Sequence, residues 1–267
     1  MIYIFSFILG LLVGSFLNVC IYRIPEGLSI VSPGSRCGHC GVPVKFYDNI
    51  PLVSYVLLRG RCRHCATGYS PRYFLIELLT GLLYTLVVYR FIFESPLVLL
   101  IYLVFVSALI VIFFIDIDHQ IIPNSITLPG IPMAILAGSF VLPDPFNLAE
   151  SLTWQNSVGG FLAGGGFFYT VAVVGRMILK KDAMGGGDIK MMAMVGGLLG
   201  WQGVIFTTFI GSLLGSIFGV GIMIIKGREW SARIPFGPYL AMGSLISLLW
   251  GGRIWEWYKA LWMFPGA

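Results

Sequence analysis

Long apolar runs occupy most of this chain and decide what it can fold into. Runs near the roughly 20 residues that a helix needs to cross a bilayer fall at about 1–21, 73–93, 97–115, 126–142, 156–179, 189–200, 203–225 and 236–252. Composition agrees: 57% of residues are hydrophobic and only 11% charged, far from the balance of a soluble domain. The expected fold is therefore an all-α polytopic membrane protein with about eight transmembrane helices. Seven is the alternative count, because the run at 189–200 is short and glycine-rich and the one at 126–142 carries Pro129 and Pro132.

The opening segment lacks a basic region ahead of its apolar run, and Arg23 follows that run, so it reads as a retained first helix rather than a cleaved signal. Arg23, Arg36, Lys45, Arg59, Arg61, Arg63 and Arg72 fall in the first loop. Arg176, Lys180, Lys181, Lys190, Lys226, Arg228 and Arg233 fall in or beside later loops of the same parity, against Arg90, Arg253 and Lys259 on the other side. Basic loops stay inside, so both termini are expected outside and the first loop in the cytoplasm. Anionic headgroups are a sufficient partner for the net charge of +5; no nucleic acid is called for.

The one sizeable polar stretch, 22–72, is too short to hold a core without a staple. Cys37 and Cys40 in CGHC and Cys62 and Cys65 in CRHC supply one, as two CxxC pairs that suit tetrahedral binding of a structural zinc ion. The 21 residues between the pairs (41–61) slightly exceed the usual spacing. Disulfides are the competing reading, disfavoured in reducing cytoplasm. Four cysteines saturate the ion, which leaves His39 and His64 as solvent-facing residues. Cys20 reads as a small buried apolar residue.

Asp116 in FFIDIDHQIIPN and Asp188 in GGGDIK each stand where an apolar run meets a polar loop. An acid there costs roughly 2.5–3.5 kcal/mol on insertion scales, and two of them suggest an aspartyl hydrolase, in which two carboxylates share one proton. No Gly-Lys-Ser/Thr follows the glycines of GGGDIK, so they are read as steric relief, with Gly185, Gly186 and Gly187 letting the backbone pass close to a scissile peptide and to the helix of Asp116. Lys190 either meets a carboxylate or anchors the interface. The small residues four apart in GGFLAGGG (159–166) and GSLLGSIFG (211–219) mark close helix packing.

Beyond these local readings, the segments GSFLNVCIYRIP (14–25), the paired CxxC knuckles, NIPLVSYVLLRGRCRHC (49–65), SPRYFLIELLTG (70–81), the spacing from Asp116 to Pro123, and GGGDIK (185–190) run in one order. In them the chain resembles the bacterial type IV prepilin peptidases, bifunctional leader peptidases and N-methyltransferases of the GxGD-type membrane aspartyl proteases. The resemblance implies that Asp116 and Asp188 are the catalytic pair, since the first acid of the motif precedes the proline by seven residues, leaving Asp118 as a solvated neighbour or an aid to substrate positioning. It further implies a zinc-binding cytoplasmic domain, prepilin and pseudopilin substrates of pilus and type II secretion systems cut after glycine, and methylation of the new N-terminus with S-adenosylmethionine as donor. Glu77, Arg61 and Arg63 are candidates for that second activity, each with a plain alternative in snorkelling or lipid contact. The expected division is a first helix at 1–21, a zinc domain at 22–72 and a protease bundle at 73–267. Competing functions are a GxGD-type protease with other substrates and an ion-coupled transporter using the two aspartates.

Overall fold

In the computed structural model, which describes residues 1–180, 184–226 and 235–263, the chain is helical almost throughout. Among the described residues there are eight α-helices: α1 (Ile2–Arg23), α2 (Val53–Leu57), α3 (Pro71–Arg90), α4 (Pro96–His119), α5 (Asn124–Phe140), α6 (Trp154–Leu179), α7 (Gly186–Lys226) and α8 (Gly237–Met263). Five of them, α1, α3, α4, α6 and α7, are long and apolar enough to cross a membrane. Lys181, Arg228 and Arg233, used above to orient the chain, lie outside the described residues. The chain divides into two compact units, Met1–Val111 and Ile112–Ala267.

In the first unit α1 packs on α3 through residues without bulk. A Cβ on Gly10 would stand 2.7 Å from the Cα of Gly81, and one on Gly14 2.8 Å from the Cα of Glu77. Small residues four apart allow such close approach of backbones where lipid offers no hydrophobic drive for association. Buried Asn18 adds a polar tie, donating from Nδ2 to the carbonyl of Tyr73 at 3.2 Å. Ser70 caps α3, its hydroxyl accepting from the N–H of Arg72 at 3.3 Å, with Pro71 in the first turn. Cys20 is buried in α1.

In the second unit α6 and α7 are the most intimate pair. A side chain at Gly160 would overlap the carbonyl of Gly196, and one at Gly164 the carbonyl of Met192, so these two glycines, four apart, serve helix contact, while Gly159 and Gly166 face open space. Buried Ser157 donates to the carbonyls of Gly197 at 2.7 Å and Ile135 at 3.2 Å, tying α5, α6 and α7 together. The glycines of 211–219 meet α8: Gly211 faces the backbone of Tyr239 and Gly215 its ring.

The sequence separates runs at 189–200 and 203–225, and the structure joins them as α7 with a break at Gly200, whose φ of 72° only glycine adopts without strain. Pro129 and Pro132 lie inside α5 without ending it. A two-stranded antiparallel hairpin, β1 (Pro143–Asp144) and β2 (Asn147–Ser151), follows α5, between the apolar runs at 126–142 and 156–179. Buried Asp144 closes its turn by accepting the N–H of Phe146 at 2.8 Å.

Candidate active site

Asp116 stands in the last turn of α4 and is 5% exposed. The helix ends just beyond it, where Gln120 takes φ of 55° and its N–H still reaches the carbonyl of Asp116 at 3.0 Å. The chain then turns through Ile121 and Ile122 to Pro123, ahead of α5. Asp118, two positions on, is exposed, and so is His119.

Asp188 lies in the first turn of α7 and is half-buried. Its carboxylate accepts the N–H of Gly185, while its own N–H donates to the carbonyl of Gly185 at 3.2 Å. This is half of a capping box, in which an acid in the first turn reaches back to satisfy an orphan donor. The same carboxylate lies within range of the charge on Asp116. Asp116 in turn accepts the N–H of Gly237, the first residue of α8. Each acid therefore takes a backbone N–H at the start of a helix, where such donors lack partners within the helix and the dipole favours negative charge.

Ile122 locks the three elements together. A Cβ on Gly187 would stand 2.8 Å from the Cβ of Ile122, and one on Gly237 3.1 Å from its Cδ1 and 2.6 Å from Oδ2 of Asp116. A side chain on Gly187 would displace Ile122, and one on Gly237 both Ile122 and Asp116, whereas a Cβ on Gly186 would meet nothing within 4 Å. Gly237 and Ile122 escape sequence reasoning because no local pattern marks either one. Lys190 donates from Nζ to Oδ1 of Asn124 at 2.8 Å, joining α7 to the start of α5.

In the first unit, Cys37, Cys40, Cys62 and Cys65 converge, with all four sulfurs within 4.8 Å of one another. The Sγ atoms of Cys37 and Cys65 are 3.8 Å apart, the edge of about 3.8 Å expected of a tetrahedron with Zn–S bonds of about 2.3 Å. The cluster could bind zinc. Two knuckles of one design build it. In one, the N–H of Cys37 donates to the carbonyl of Val42 and that of Gly41 to Cys37; in the other, Cys62 pairs with Thr67 and Ala66 with Cys62. N–H groups of Cys40 and His39 hold the Cys37 thiol below its usual range. Those of Cys65 and His64, aided by the Tyr69 hydroxyl, bring Cys62 down to about 6. The N–H of Val42 opposes the rise at Cys40, but burial and the adjacent sulfurs push that thiol up to about 11.

The methyltransferase candidates have structural partners of their own. Oε2 of Glu77 accepts the N–H of Leu52 at 2.9 Å, fixing a residue with φ of 58° at the entrance to α2. Arg63 clamps Asp48, with Nη2 2.6 Å from Oδ1 and Nε 2.9 Å from both oxygens, and holds the Asp48 carboxyl below its usual range. Arg61 is exposed on the rim of the second knuckle.

Fold and site together define a multi-pass membrane protein in which a buried acid faces a second acid. Residues 8–91 match the bacterial peptidase A24 N-terminal domain and residues 103–220 the type IV leader peptidase family. Similar proteins carry the name prepilin leader peptidase/N-methyltransferase. One from Stutzerimonas stutzeri is 35% identical, over 93% of this chain and 91% of its own; one from Pseudomonas aeruginosa is 35% identical, over 95% and 92%. A third, from Myxococcus xanthus, is 42% identical over 84% of this chain and 64% of its own. No solved structure matches the chain. The chain belongs to the type IV leader peptidase family, peptidase A24.

Proposed function

We infer that this protein is a prepilin leader peptidase and N-methyltransferase: it removes the basic leader of prepilins and pseudopilins at the cytoplasmic face of the bacterial inner membrane and methylates the new N-terminus. The observation that carries the peptidase assignment is the meeting of Asp116 and Asp188 between the end of α4 and the starts of α7 and α8, within a chain of this family. Two carboxylates so placed share one proton. The charged member draws a proton from water as it attacks the scissile carbonyl, and the protonated member donates to the carbonyl oxygen. Gly187 and Gly237 keep the approach to the pair free of side chains. A substrate helix lying in the bilayer presents its leader junction at the depth of the pair, which suits a cut beside the membrane. In this reading the chain crosses the membrane about eight times, with the two halves of α7 counted separately.

The cysteine module at 22–72 would hold one zinc ion through Cys37, Cys40, Cys62 and Cys65, the metal acting as the staple that so small a polar domain needs. S-adenosylmethionine would supply the methyl group for the second reaction, with the first unit contributing the residues around it. The test is to incubate purified protein in liposomes with a prepilin and follow leader release by mass, with and without S-adenosylmethionine. Leader release together with a gain of one methyl group on the product is the expected result; an intact prepilin would overturn the assignment.

A further inference from the structure

The polar stretch between α1 and α3 turns more apolar side chain outward than a water-facing module does. Val31, Phe46, Val56 and Leu57 are 85, 86, 63 and 76% exposed, and Ile50 and Val53 are exposed as well. Single exposed apolar residues are ordinary, but a set concentrated in one short segment marks a contact surface. In α2 the polarity is inverted. Its inner face carries buried Ser54, which accepts the N–H of Ile50 at 3.0 Å and donates to the carbonyl of Tyr47 at 3.0 Å. Its outer face, at spacings of three and four, is Val53, Val56 and Leu57. A helix against water turns its polar side outward.

We propose that the outer face of α2, with Phe46 and Ile50, is embedded in the interfacial layer of the membrane, so that the cysteine module lies on the bilayer instead of standing free in water. Continuity with the spanning helices favours lipid as the occupant. A cleft of about 290 Å³ is lined by Leu12, Phe16 and Val19 of α1 together with Val31, Pro33 and Pro51 of the polar stretch. Leu12 precedes the end of α1 at Arg23 by 11 residues, about 16 Å of helix. The polar stretch thus reaches a part of α1 that hydrocarbon surrounds. Charge points the same way. The segment 46–57 is bracketed by exposed Lys45 and Arg59, the residues that anionic headgroups attract, and an interfacial segment pairs such a basic rim with apolar residues sunk about 5–10 Å below the headgroups.

The test uses the full chain in vesicles of neutral and anionic phospholipids, with a benzophenone amino acid placed singly at Phe46, Val56 or Leu57, or at His39 or His64 on the exposed knuckle tips. After illumination, adducts of lipid mass are expected at 46, 56 and 57 and not at 39 or 64. In the unmodified protein, a phospholipid with a diazirine in its upper acyl chain should label the peptide spanning 46–57 along with peptides of α1 and α3, a readout that no substitution can confound. Labelling of α1 and α3 without 46–57 would overturn the proposal. So would benzophenone adducts of substrate mass in place of lipid, which would make this face a protein-docking surface, or equal lipid labelling at all five positions.

Discussion

Two positions along a helix turn a side chain through about 200°, and that rotation puts Asp116 into the protein and Asp118 outside it. If the buried acid is the one that works, Asp118→Asn should cleave prepilin within a few-fold of the parent. Asp116→Asn and Asp188→Asn should each lose at least about 100-fold, the low end of what a positioned acid or base supplies, while remaining folded and inserted. Leader release by mass across the three variants checks this, and a dead Asp118→Asn beside an active Asp116→Asn would reverse the assignment. The glycines permit a finer test. A methyl at Gly187 or Gly237 must push on Ile122, and at Gly237 on Oδ2 of Asp116 as well, whereas one at Gly186 meets open space. Gly187→Ala and Gly237→Ala are therefore expected to lower kcat by on the order of tenfold, the rate equivalent of about 1.4 kcal/mol, with KM little changed, and Gly186→Ala to behave as the parent. Equal loss in all three would show that the glycines matter for flexibility and not for room.

Whether an element could be read in the sequence depended on how locally its cause is written. The runs that became α1, α4 and α6 were legible because a spanning helix needs only length and apolarity; the run at 73–93 fell short of the start of α3 at Pro71, although a serine cap and a proline sit side by side at 70 and 71. The knuckles were legible because each CxxC closes within a few residues. The junction of α7's two halves was legible as a gap between runs, but not as one helix with a break at Gly200, since the φ of one residue leaves no mark on composition. The meeting of α8 with Asp116 was not legible, because 121 positions separate residues 116 and 237 and GPYL carries no signature; nor was the polarity of α2, five residues being too few for a period. The knuckles bring the next prediction. Their two loops repeat the same hydrogen bonds around four sulfurs, so one zinc per chain is expected on metal analysis. Because ligation supplies folding free energy to a domain this small, Cys62→Ser should lose the metal and open 36–69 to proteolysis. Four oxidised thiols and no zinc in the native protein would identify disulfides instead.

At the scale of the whole chain, the candidate site residues divide as the fold does. Asp116, Ile122, Asp188 and Gly237 all come from the unit Ile112–Ala267, and the four cysteines, Glu77 and the cleft beside α1 from the unit Met1–Val111. The two family matches, 8–91 and 103–220, divide close by, the second beginning in the last residues of the first unit. Each unit thus has its own cluster of candidate side chains, and cutting a peptide and methylating an amine are reactions with no atom in common except the nitrogen that the first releases and the second modifies. If the second unit cuts and the first methylates, the activities should come apart under substitution. Asp188→Asn, given a pilin whose leader has already been removed, should methylate it at close to the parent rate, because the amide keeps the shape of the acid and leaves the first unit untouched. Cys62→Ser, given the same substrate, should lose methylation at least as severely as it loses cleavage of the full prepilin. Both rates can be followed in one experiment, by transfer of a labelled methyl group and by mass of the leader. A folded Asp188→Asn protein that cannot methylate pre-cleaved pilin would mean that one site serves both reactions, with the aspartate pair holding the new N-terminus for the second as it held the peptide bond for the first.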